Sequence, residues 1–369
     1  MMAARQALGI VVEALQPAAG GPSAATRRRS VRDWTRPLAL ANVHLLSPAI
    51  YGGLAGAGAL ADLPHDAREY LALLYRLNRD RNQALRGQAT ELLTALNAAG
   101  IYPLLLKGAL SLFGGVYEDV ATRMIRDLDV LVPAAQAGDT TRILASLGYT
   151  AITRYEAGHN AYGDFARPHD PGAVDLHLEL VEMPYLLPAA EVWARAGLKE
   201  AAAGAAFFAP SPGDAALHHL LHAQVHHRGN FYRGALELRQ VHEFALLIER
   251  CEDIDWAAIH ARLAAYRLDV VLESYALAAR RLFDCRWPLP RPPSSRAAAQ
   301  VRRGFTRLCW PVLAAIGAPL ANIRSAFAWH RMQHLYAAGS LMGRRLQHAV
   351  QFVRKTAARD AVGRLFRVH

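Results

Sequence analysis

Cysteine is scarce in this sequence, and long apolar runs are absent. The three cysteines, Cys251, Cys285 and Cys309, are far apart in 369 residues and form no CxxC pair. This argues against a disulfide scaffold or a cysteine-built zinc site and favours buried, reduced thiols. No stretch approaches the ~18 consecutive apolar residues of a spanning helix. Residues 1–16 lack a signal-peptide pattern, since Glu13 interrupts their apolar run. We expect a cytoplasmic protein.

Acidic residues are almost missing from the C-terminal part. From Arg296 to the end there are 13 Lys and Arg and one acid, Asp360, a balance of +12. The remainder has 29 basic and 30 acidic residues, so the net charge of +11 belongs to this basic tail. Such a tail contacts phosphates, an anionic membrane surface or an acidic partner. The segment 342–366 is amphipathic, and a solvated helical face is the simpler interpretation.

The composition indicates a folded chain of several parts. Hydrophobic residues make up 53% and charged residues 20%, with a mean hydropathy of +0.06, which argues against extensive disorder. A chain of this length favours two or three sub-domains. The predicted division is a flexible N-terminal arm (1–37), a helical block (38–100), an α/β core (101–187), a helical domain (188–286) and the basic helical tail (296–369).

The α/β core is predicted from a change in periodicity. Residues 38–100 repeat apolar positions at three-to-four spacing, and Gly100 ends the last helix of this block. Strand patterns follow at 101–106, 127–132, 149–154 and 173–181, with a helix over 134–147. From residue 188 onward the pattern predicts helices only. The fold class is therefore α+β, a small mixed sheet flanked by helical domains.

Three aspartates are the candidate catalytic residues. Asp127 and Asp129 are two apart on a predicted strand, so both side chains point to one face. Asp175 lies on another strand, followed on the same face by His177 and Glu179. If the two strands are neighbours, three carboxylates come together, and their repulsion requires cations such as Mg²⁺ or Mn²⁺. The nearby Lys107, Arg123 and Arg126 match the oxygens of a polyphosphate.

The motifs that hold these residues carry a resemblance. The chain contains LLLKGALSL, then RMIRDLDVLV, then VDLHLEL, and further on SPGDAALHHLLHA. In this order they resemble the nucleotidyltransferases of the polymerase-beta-like superfamily, in particular an uncharacterised bacterial branch with LLKG, RxxxDxDxLV and VDLH. The likeness covers roughly residues 102–263. It implies a metal-dependent transfer of a nucleoside monophosphate from an NTP to an acceptor, with release of pyrophosphate.

The resemblance implies a role for each site residue. Asp127, Asp129 and Asp175 would hold two metal ions, and Asp175 would also accept the acceptor's proton. Nucleotide binding would fall to Lys107, Gly108, Arg123 and Arg126.

Two positions depart from the family pattern. Gly108 is followed by Ala109 where relatives have a second Gly or Ser. The chain has Gln240-Val-His-Glu243 where relatives often carry an aspartate, which leaves the role of that position open.

The histidines near these motifs are interpreted as supporting or packing residues rather than as metal ligands. His177 is expected to be a substrate-side or supporting residue rather than a metal ligand. His218, His222 and His226 are four apart on one helix face, which is compatible with zinc. No HExxH motif or carboxylate supports zinc, so a helix packed beside the site, with His222 facing the nucleotide, is the preferred interpretation.

Three functions remain open from the sequence. The first is a nucleotidyltransferase acting on a hydroxyl of a small molecule, peptide or protein. The second is a catalytically weak or inactive nucleotide-binding or interaction protein on the same fold. The third, an RNA-directed enzyme, is supported only by the basic tail, because no RNA-binding motif is present.

Overall fold

The N-terminal part of the protein is helical. A computed structural model describes residues 4–16, 31, 33–155, 159–201, 204–226, 229–310, 318–335 and 343. Its first helices are α1 (Ala4–Leu15), α2 (Thr35–Val43), α3 (Ser47–Gly56) and the 34-residue α4 (His65–Ala98). No single helix of the described residues is long and apolar enough to cross a membrane. By length and composition alone, α2 and α3 pass as a pair bent by 117°.

Helix α4 links two hydrophobic cores. At 1.5 Å per residue it is about 51 Å long. Ala67 and Leu71, near its start, are buried in a helical core, whereas Leu85 and Leu92 are buried against the sheet. Its end agrees with the sequence prediction, because Gly100 adopts the left-handed conformation, with φ of 73°, just beyond the last turn.

Seven strands form one mixed sheet. They are β1 (Leu104–Leu105), β2 (Asp127–Leu131), β3 (Thr150–Arg154), β4 (Ala161–Ala166), β5 (Ala173–His177), β6 (Gly197–Glu200) and β7 (Ala206–Ala209). Their order across the sheet is β3-β4-β5-β2-β1-β7-β6. The central β2 and β5 are parallel, and β1 runs antiparallel to β2 and parallel to β7. The expected α+β fold with a mixed sheet is confirmed.

Three of these strands differ from the sequence prediction. β4 was not predicted, and the expectation of helices only from residue 188 onward is wrong for β6 and β7, which extend the sheet beside β1. The four residues of β6 are all exposed and β7 has only four residues. Segments this short show no clear two-residue alternation, so the partner strand decides their structure.

The remaining described helices surround the sheet and build the helical core. They are α5 (Lys107–Ser111), α6 (Ala137–Ser146), α7 (Ala189–Arg195), α8 (Pro212–Gln224), α9 (Asn230–Arg233), α10 (Leu238–Arg250), α11 (Trp256–Ala265), α12 (Asp269–Phe283), α13 (Ser295–Cys309), α14 (Ala318–Ala326) and α15 (Trp329–Leu335). Short 3₁₀ turns lie at Leu60–Asp62, Val120–Thr122 and Ala134–Gln136.

The helical core joins the N-terminal helix to helices that follow the sheet in the chain. Ile10 and Val11 of α1 are buried in the same cluster as Phe244 of α10 and Tyr275 of α12. Residues 4–15 of the expected flexible arm are therefore a packed helix. The three cysteines are free, and only Cys285 is fully buried, the other two being partly exposed. The segment 342–366 of the basic tail lies, apart from Gly343, outside the described residues.

Candidate active site

The pairing of β2 with β5 brings the predicted carboxylates together. Asp129 is directly opposite Asp175 in the parallel register, and Asp127 lies two residues earlier on β2. Partners in register project from the same face of a sheet, so all three side chains share that face. Leu128 between the two β2 aspartates is buried in the sheet core. The alternation of acidic and apolar residues thus builds the strand and directs its acids to one side.

His177 joins two of these carboxylates. Its Nε2 atom lies 3.1 Å from Asp129 Oδ1 and 3.0 Å from Asp175 Oδ2. Burial lowers the affinity of this ring for a proton, but the hydrogen bonds to both aspartates outweigh that effect and raise the pKa of His177. Glu179, expected on the same strand face, lies beyond the end of β5 and accepts a hydrogen bond from the backbone N–H of Ala189 at 3.1 Å.

Lys107 also contacts Asp129. Its Nζ atom lies 2.7 Å from Asp129 Oδ1. Burial opposes the negative charge of Asp129, but Lys107 and His177 outweigh it and hold the pKa of this carboxyl well below its usual range. Lys107 has a φ of 46° at the turn from β1 into α5. This left-handed conformation is uncommon for a residue with a side chain, and it directs Lys107 to the acids.

Asp127 has the opposite electrostatic environment. Burial, and then the nearby charge of Asp129, raise the pKa of Asp127 above its usual value. Two carboxylates on one strand face therefore differ in proton affinity, because the Lys107 ammonium contacts only Asp129.

The donor set fits a divalent metal ion. One ligand atom each from Asp129, Asp175 and His177 lie within 4.8 Å of one another. Asp175 Oδ1 is buried and has no hydrogen-bond partner within the described residues. A buried carboxylate oxygen without a donor is costly unless a cation or a ligand group pairs with it. The other such group in the described part of the chain, His260, Asp269 and Glu273, does not line the cavity described below.

Asp164 is a fourth acid that the sequence analysis missed. It lies on β4 opposite Asp175, so Asp129, Asp175 and Asp164 form a row across three neighbouring strands. The Tyr155 hydroxyl donates to Asp164 Oδ2 at 3.0 Å. Burial, together with the charge of Asp175, raises the pKa of Asp164. A prediction of β4 would have been the signal for this residue.

Arg123 lines the cavity described below, but its guanidinium is paired within the protein. Its guanidinium donates to both carboxylate oxygens of Glu243 on α10, at 2.9 to 3.1 Å. Burial alone would raise the pKa of Glu243, but Arg123 lowers it to about 2. Within the segment Gln240-Val-His-Glu243, Glu243 is therefore an ion-pair partner, and the pair joins the segment before β2 to the helical core.

Position 108 requires a glycine, because its backbone lies directly against Arg123. A Cβ atom at Gly108 would lie 2.8 Å from Arg123 Nη1 and 2.8 Å from Ile125 Cγ2. The start of α5 therefore packs directly on the Arg123 guanidinium. Arg126, the remaining predicted cation, is exposed and lines the same cavity as the acids.

Histidines of α8 and of the segment just after it line the same cavity as the acids. His218, His219 and His222 lie on α8, but the helix ends at Gln224, so His226 lies beyond it and not on the helix face that its spacing predicted. Burial lowers the pKa of His218 to about 3 and that of His222 well below its usual value, so both are neutral at pH 7. His218 Nε2 lies 3.1 Å from the Leu180 carbonyl and His219 Nε2 2.9 Å from the Gln240 carbonyl. Both contacts are with backbone carbonyl oxygens, as expected for a helix that packs beside the site.

The cavity has a volume of about 910 Å³. This is near the upper end of the ~300–1,000 Å³ typical of small-molecule sites. Besides the acids and histidines, Phe113 and Phe207 add apolar surface, and Arg239 of α10 adds a cation. Arg239 makes no hydrogen bond or ion pair within the part of the chain that the structure describes. It was not singled out by the sequence, because an arginine in the first turn of an amphipathic helix is unremarkable by pattern alone.

A comparison with known protein families assigns the chain to one of them. A model of a family described as uncharacterised nucleotidyltransferases matches residues 30–284, which include the complete sheet and the cavity described above. No curated protein matches the sequence. The match covers well over half of the chain, and the protein belongs to this family of uncharacterised nucleotidyltransferases.

Proposed function

We propose that the protein transfers a nucleoside monophosphate from an NTP to a hydroxyl of a small molecule, peptide or protein and releases pyrophosphate. The observation that carries this proposal is the in-register pairing of Asp129 with Asp175, with Asp127 on the same face, in a cavity of about 910 Å³. Family membership supports the transferase class. The acceptor class is carried over from the resemblance of the sequence motifs.

The bond changes follow from this assignment. The acceptor oxygen forms a bond to the α-phosphorus as the bond from that phosphorus to the bridging oxygen breaks, and pyrophosphate leaves with the electron pair. The acceptor proton passes to Asp175, whose Oδ1 is buried without a hydrogen-bond partner in the described residues. Asp129 is less suited to accept the proton, because its Oδ1 atom already contacts Lys107 Nζ and His177 Nε2.

Asp129 and Asp175 of the converging donor group would hold Mg²⁺ or Mn²⁺, and we assign Asp127, on the same strand face, to the same ions, since hard carboxylate oxygens suit them. Such an ion, when bound, neutralises triphosphate charge and lowers the pKa of the acceptor hydroxyl. His177 orients two of the three carboxylates through its contacts with Asp129 and Asp175.

The triphosphate is assigned to the cations of the cavity. Lys107, Gly108 and Arg126 line it beside the acids, and Arg239 lines it from α10. The charge of Arg123 is already balanced by Glu243, so we assign Arg123 to positioning the turn at Gly108. The sequence expectation of direct phosphate contact by Arg123 is therefore replaced by a supporting role.

Ligand-dependent stability tests the proposal. NTP with Mg²⁺ or Mn²⁺ should raise the melting temperature, because a ligand of the native state shifts the unfolding equilibrium. EDTA, or the double change Asp127→Asn and Asp129→Asn, should abolish the shift, whereas Asp139→Asn on the exposed surface of α6 should retain it. Equal stabilisation in EDTA would contradict the metal-dependent site. Transfer of label from [α-³²P]NTP, with release of pyrophosphate, then tests catalysis.

One observation favours the weaker alternative, a nucleotide-binding or interaction protein without turnover. The ammonium of Lys107, 2.7 Å from Asp129 Oδ1, competes with a metal ion for that oxygen. NTP binding without pyrophosphate release, for any hydroxyl acceptor tested, would support this alternative. Membrane contact through the basic tail and a cytoplasmic location remain predictions.

A further inference from the structure

Half-buried arginines lie together where α9, α13 and α14 meet. Arg303 of α13 donates through its Nη2 atom to the Phe231 carbonyl oxygen of α9 at 2.8 Å. Arg233, two residues further on in α9, donates through its Nη2 atom to Asn322 Oδ1 of α14 at 2.9 Å. Arg307 follows Arg303 by one helical turn and lies on the same side of α13. We call Arg233, Arg303 and Arg307 the arginine cluster.

The arginine cluster contains buried N–H groups without acceptors. The Arg233 Nε, Arg303 Nε and Arg307 Nη1 atoms are buried and make no hydrogen bond within the described residues. Burial lowers the pKa of Arg303, and the charges of Arg307 and Arg324 lower it further. Buried donors and neighbouring like charges are costly unless an anion pairs with them. The arrangement therefore favours the binding of an anion.

Acidic side chains do not balance the arginine cluster. Helices α13 and α14 contain no Asp or Glu. Glu237, four residues after Arg233, is exposed, and it forms no ion pair within the part of the chain that the structure describes. The half-buried Arg262, in contrast, has a carboxylate partner, because its Nη1 atom lies 2.7 Å from Glu191 Oε2. The excess of positive charge is therefore particular to this cluster.

Arg233 connects the arginine cluster with the candidate active site. It lines the same cavity as the three aspartates. We have assigned the triphosphate to cations of other elements, so an anion at Arg233 belongs to a second ligand, the acceptor. Three arginines in contact with one another's fields suit a phosphate dianion better than a singly charged carboxylate. A guanidinium also binds two phosphate oxygens at once.

We infer that the acceptor is a hydroxyl compound that carries a phosphate group, and that Arg233 binds this phosphate while Arg303 and Arg307 add positive potential. The inference rests on the proposed function, because it names the class of the second substrate in the same cavity. The phosphate on the acceptor takes no part in the bond changes. It positions the hydroxyl, whose oxygen forms the bond to the α-phosphorus of the NTP.

Calorimetry with ribose 5-phosphate and ribose tests the inference on the full chain in EDTA. Ribose 5-phosphate should bind at least roughly tenfold more tightly than ribose, since charged hydrogen bonds hold the phosphate. Arg233→Gln should remove this preference, and Arg233→Lys, which keeps the charge, should retain part of it. Arg302→Gln, on the exposed side of α13, is the matched control and should leave it unchanged. Equal affinities for the two sugars, or an equal loss in Arg302→Gln, would overturn the inference.

Arg126→Gln distinguishes the phosphate site from the triphosphate site. It should weaken NTP binding and leave the affinity for ribose 5-phosphate unchanged, because Arg126 lies next to the aspartates of β2 and Arg233 lies on α9. If Arg126→Gln lowers that affinity and Arg233→Gln does not, the phosphate occupies the triphosphate site and the inference is wrong. A wild-type protein without metal-dependent NTP binding would instead contradict the proposed function.

Arg307→Gln tests the arginine cluster without any ligand. In phosphate-free buffer it should raise the melting temperature, because it removes a like charge and a buried donor without an acceptor. It should also weaken ribose 5-phosphate binding by a smaller factor than Arg233→Gln. A lower melting temperature together with unchanged ribose 5-phosphate affinity would show that Arg307 stabilises the fold and contributes nothing to an anion site.

Discussion

Asp129 and Asp175 are opposite each other on neighbouring strands, yet their surroundings differ. Asp129 is held ionised by Lys107 and His177, whereas Asp175 keeps one buried oxygen without a partner in the described residues. This asymmetry suggests different roles. Under the proposed function, Asp127 and Asp129, on one strand, would hold the triphosphate side of the ligand, and Asp175 would serve the acceptor side.

Asp175→Asn should therefore affect turnover more than nucleotide affinity. The amide keeps the shape of the side chain but cannot accept the proton. We expect kcat to fall by roughly 100-fold or more, with the Kd of the NTP nearly unchanged. Calorimetry gives the Kd, and labelled-NTP turnover gives kcat. Near-normal turnover, or loss of binding as complete as in Asp127→Asn, would contradict this role.

Arg239→Gln should weaken NTP binding. A charged hydrogen bond to phosphate stabilises a complex by about 1.5–3 kcal/mol, so Kd should rise roughly 10- to 100-fold. The effect should be largest for the triphosphate and absent for the nucleoside. Arg302→Gln, on the exposed side of α13, removes the same net charge and should leave Kd unchanged. If nucleoside and NTP lose affinity equally, Arg239 acts on the fold rather than on phosphate.

Only some of these residues could be found by sequence reasoning. The two-residue spacing of Asp127 and Asp129, and the VDLH pattern around Asp175, specify side-chain direction, which is local information. Glu243 is 120 residues from Arg123 in the chain, and no local pattern encodes such a contact. Asp164 was missed for a related reason, since β4 is identified only by its pairing with β3 and β5.

Among the secondary-structure elements, α4 supports the candidate site through contacts with the segments that lead into it. Asn78 and Asn82 donate to the carbonyl oxygens of residues 120, 121 and 123, just before β2. Arg81 donates to the carbonyls of Arg126 and Pro171, which precede β2 and β5. One helix therefore holds the segments that lead into both aspartate-bearing strands.

Gly172→Ala tests the close packing of α4 on the sheet. A Cβ there would lie 2.7 Å from Leu85 Cδ2 and 3.0 Å from the Arg126 carbonyl oxygen. We expect a loss of about 1–3 kcal/mol in the free energy of unfolding from this overpacking, measured by urea denaturation. Gly138→Ala in α6 meets nothing within 4 Å, and it should be neutral or stabilise, as alanine favours helix. Equal effects of the two changes would count against the packing argument.

The Arg123–Glu243 pair connects the segment before β2 to α10, and its contribution depends on pH. Arg123 lowers the pKa of Glu243 from 4.5 to about 2 in the folded protein. A lowered folded pKa means that the stabilisation is complete above pH 4.5 and is lost as the pH falls through about 2.

Glu243→Gln should cost about 3 kcal/mol or more at pH 7, because it leaves the buried Arg123 charge unbalanced. The difference in melting temperature from the wild type should shrink as the pH falls below 4.5. Thermal unfolding at several pH values measures this, with Glu252→Gln as an exposed control. A difference that stays constant from pH 7 to pH 3 would show that the ion pair is not its cause.

At the scale of the whole molecule, the periodicity of the sequence predicts the fold class better than it predicts the domain boundaries. The change at Ile101 marks the sheet correctly, because alternation is local. The boundaries drawn at residues 100 and 187, however, cross both hydrophobic cores. Leu92 and Leu96 of α4 pack on the sheet, and β7 pairs with β1 from beyond residue 187. Which segments share a core is a property of tertiary packing, which periodicity does not report.

A fragment of residues 101–187 should therefore fail to fold on its own. It would lack α4, which covers the sheet through Leu85, Leu92 and Leu96, and it would leave β1 without its partner β7. The exposed apolar face and the unpaired edge favour aggregation over a stable module. We expect no cooperative thermal transition and no dispersed amide NMR spectrum from this fragment. Residues 1–335, which keep both cores, should unfold cooperatively in the same buffer. A cooperative transition from residues 101–187 would show that the α/β core is an independent domain, as the sequence division assumes, and that the contacts of α4 and β7 are not required for the sheet.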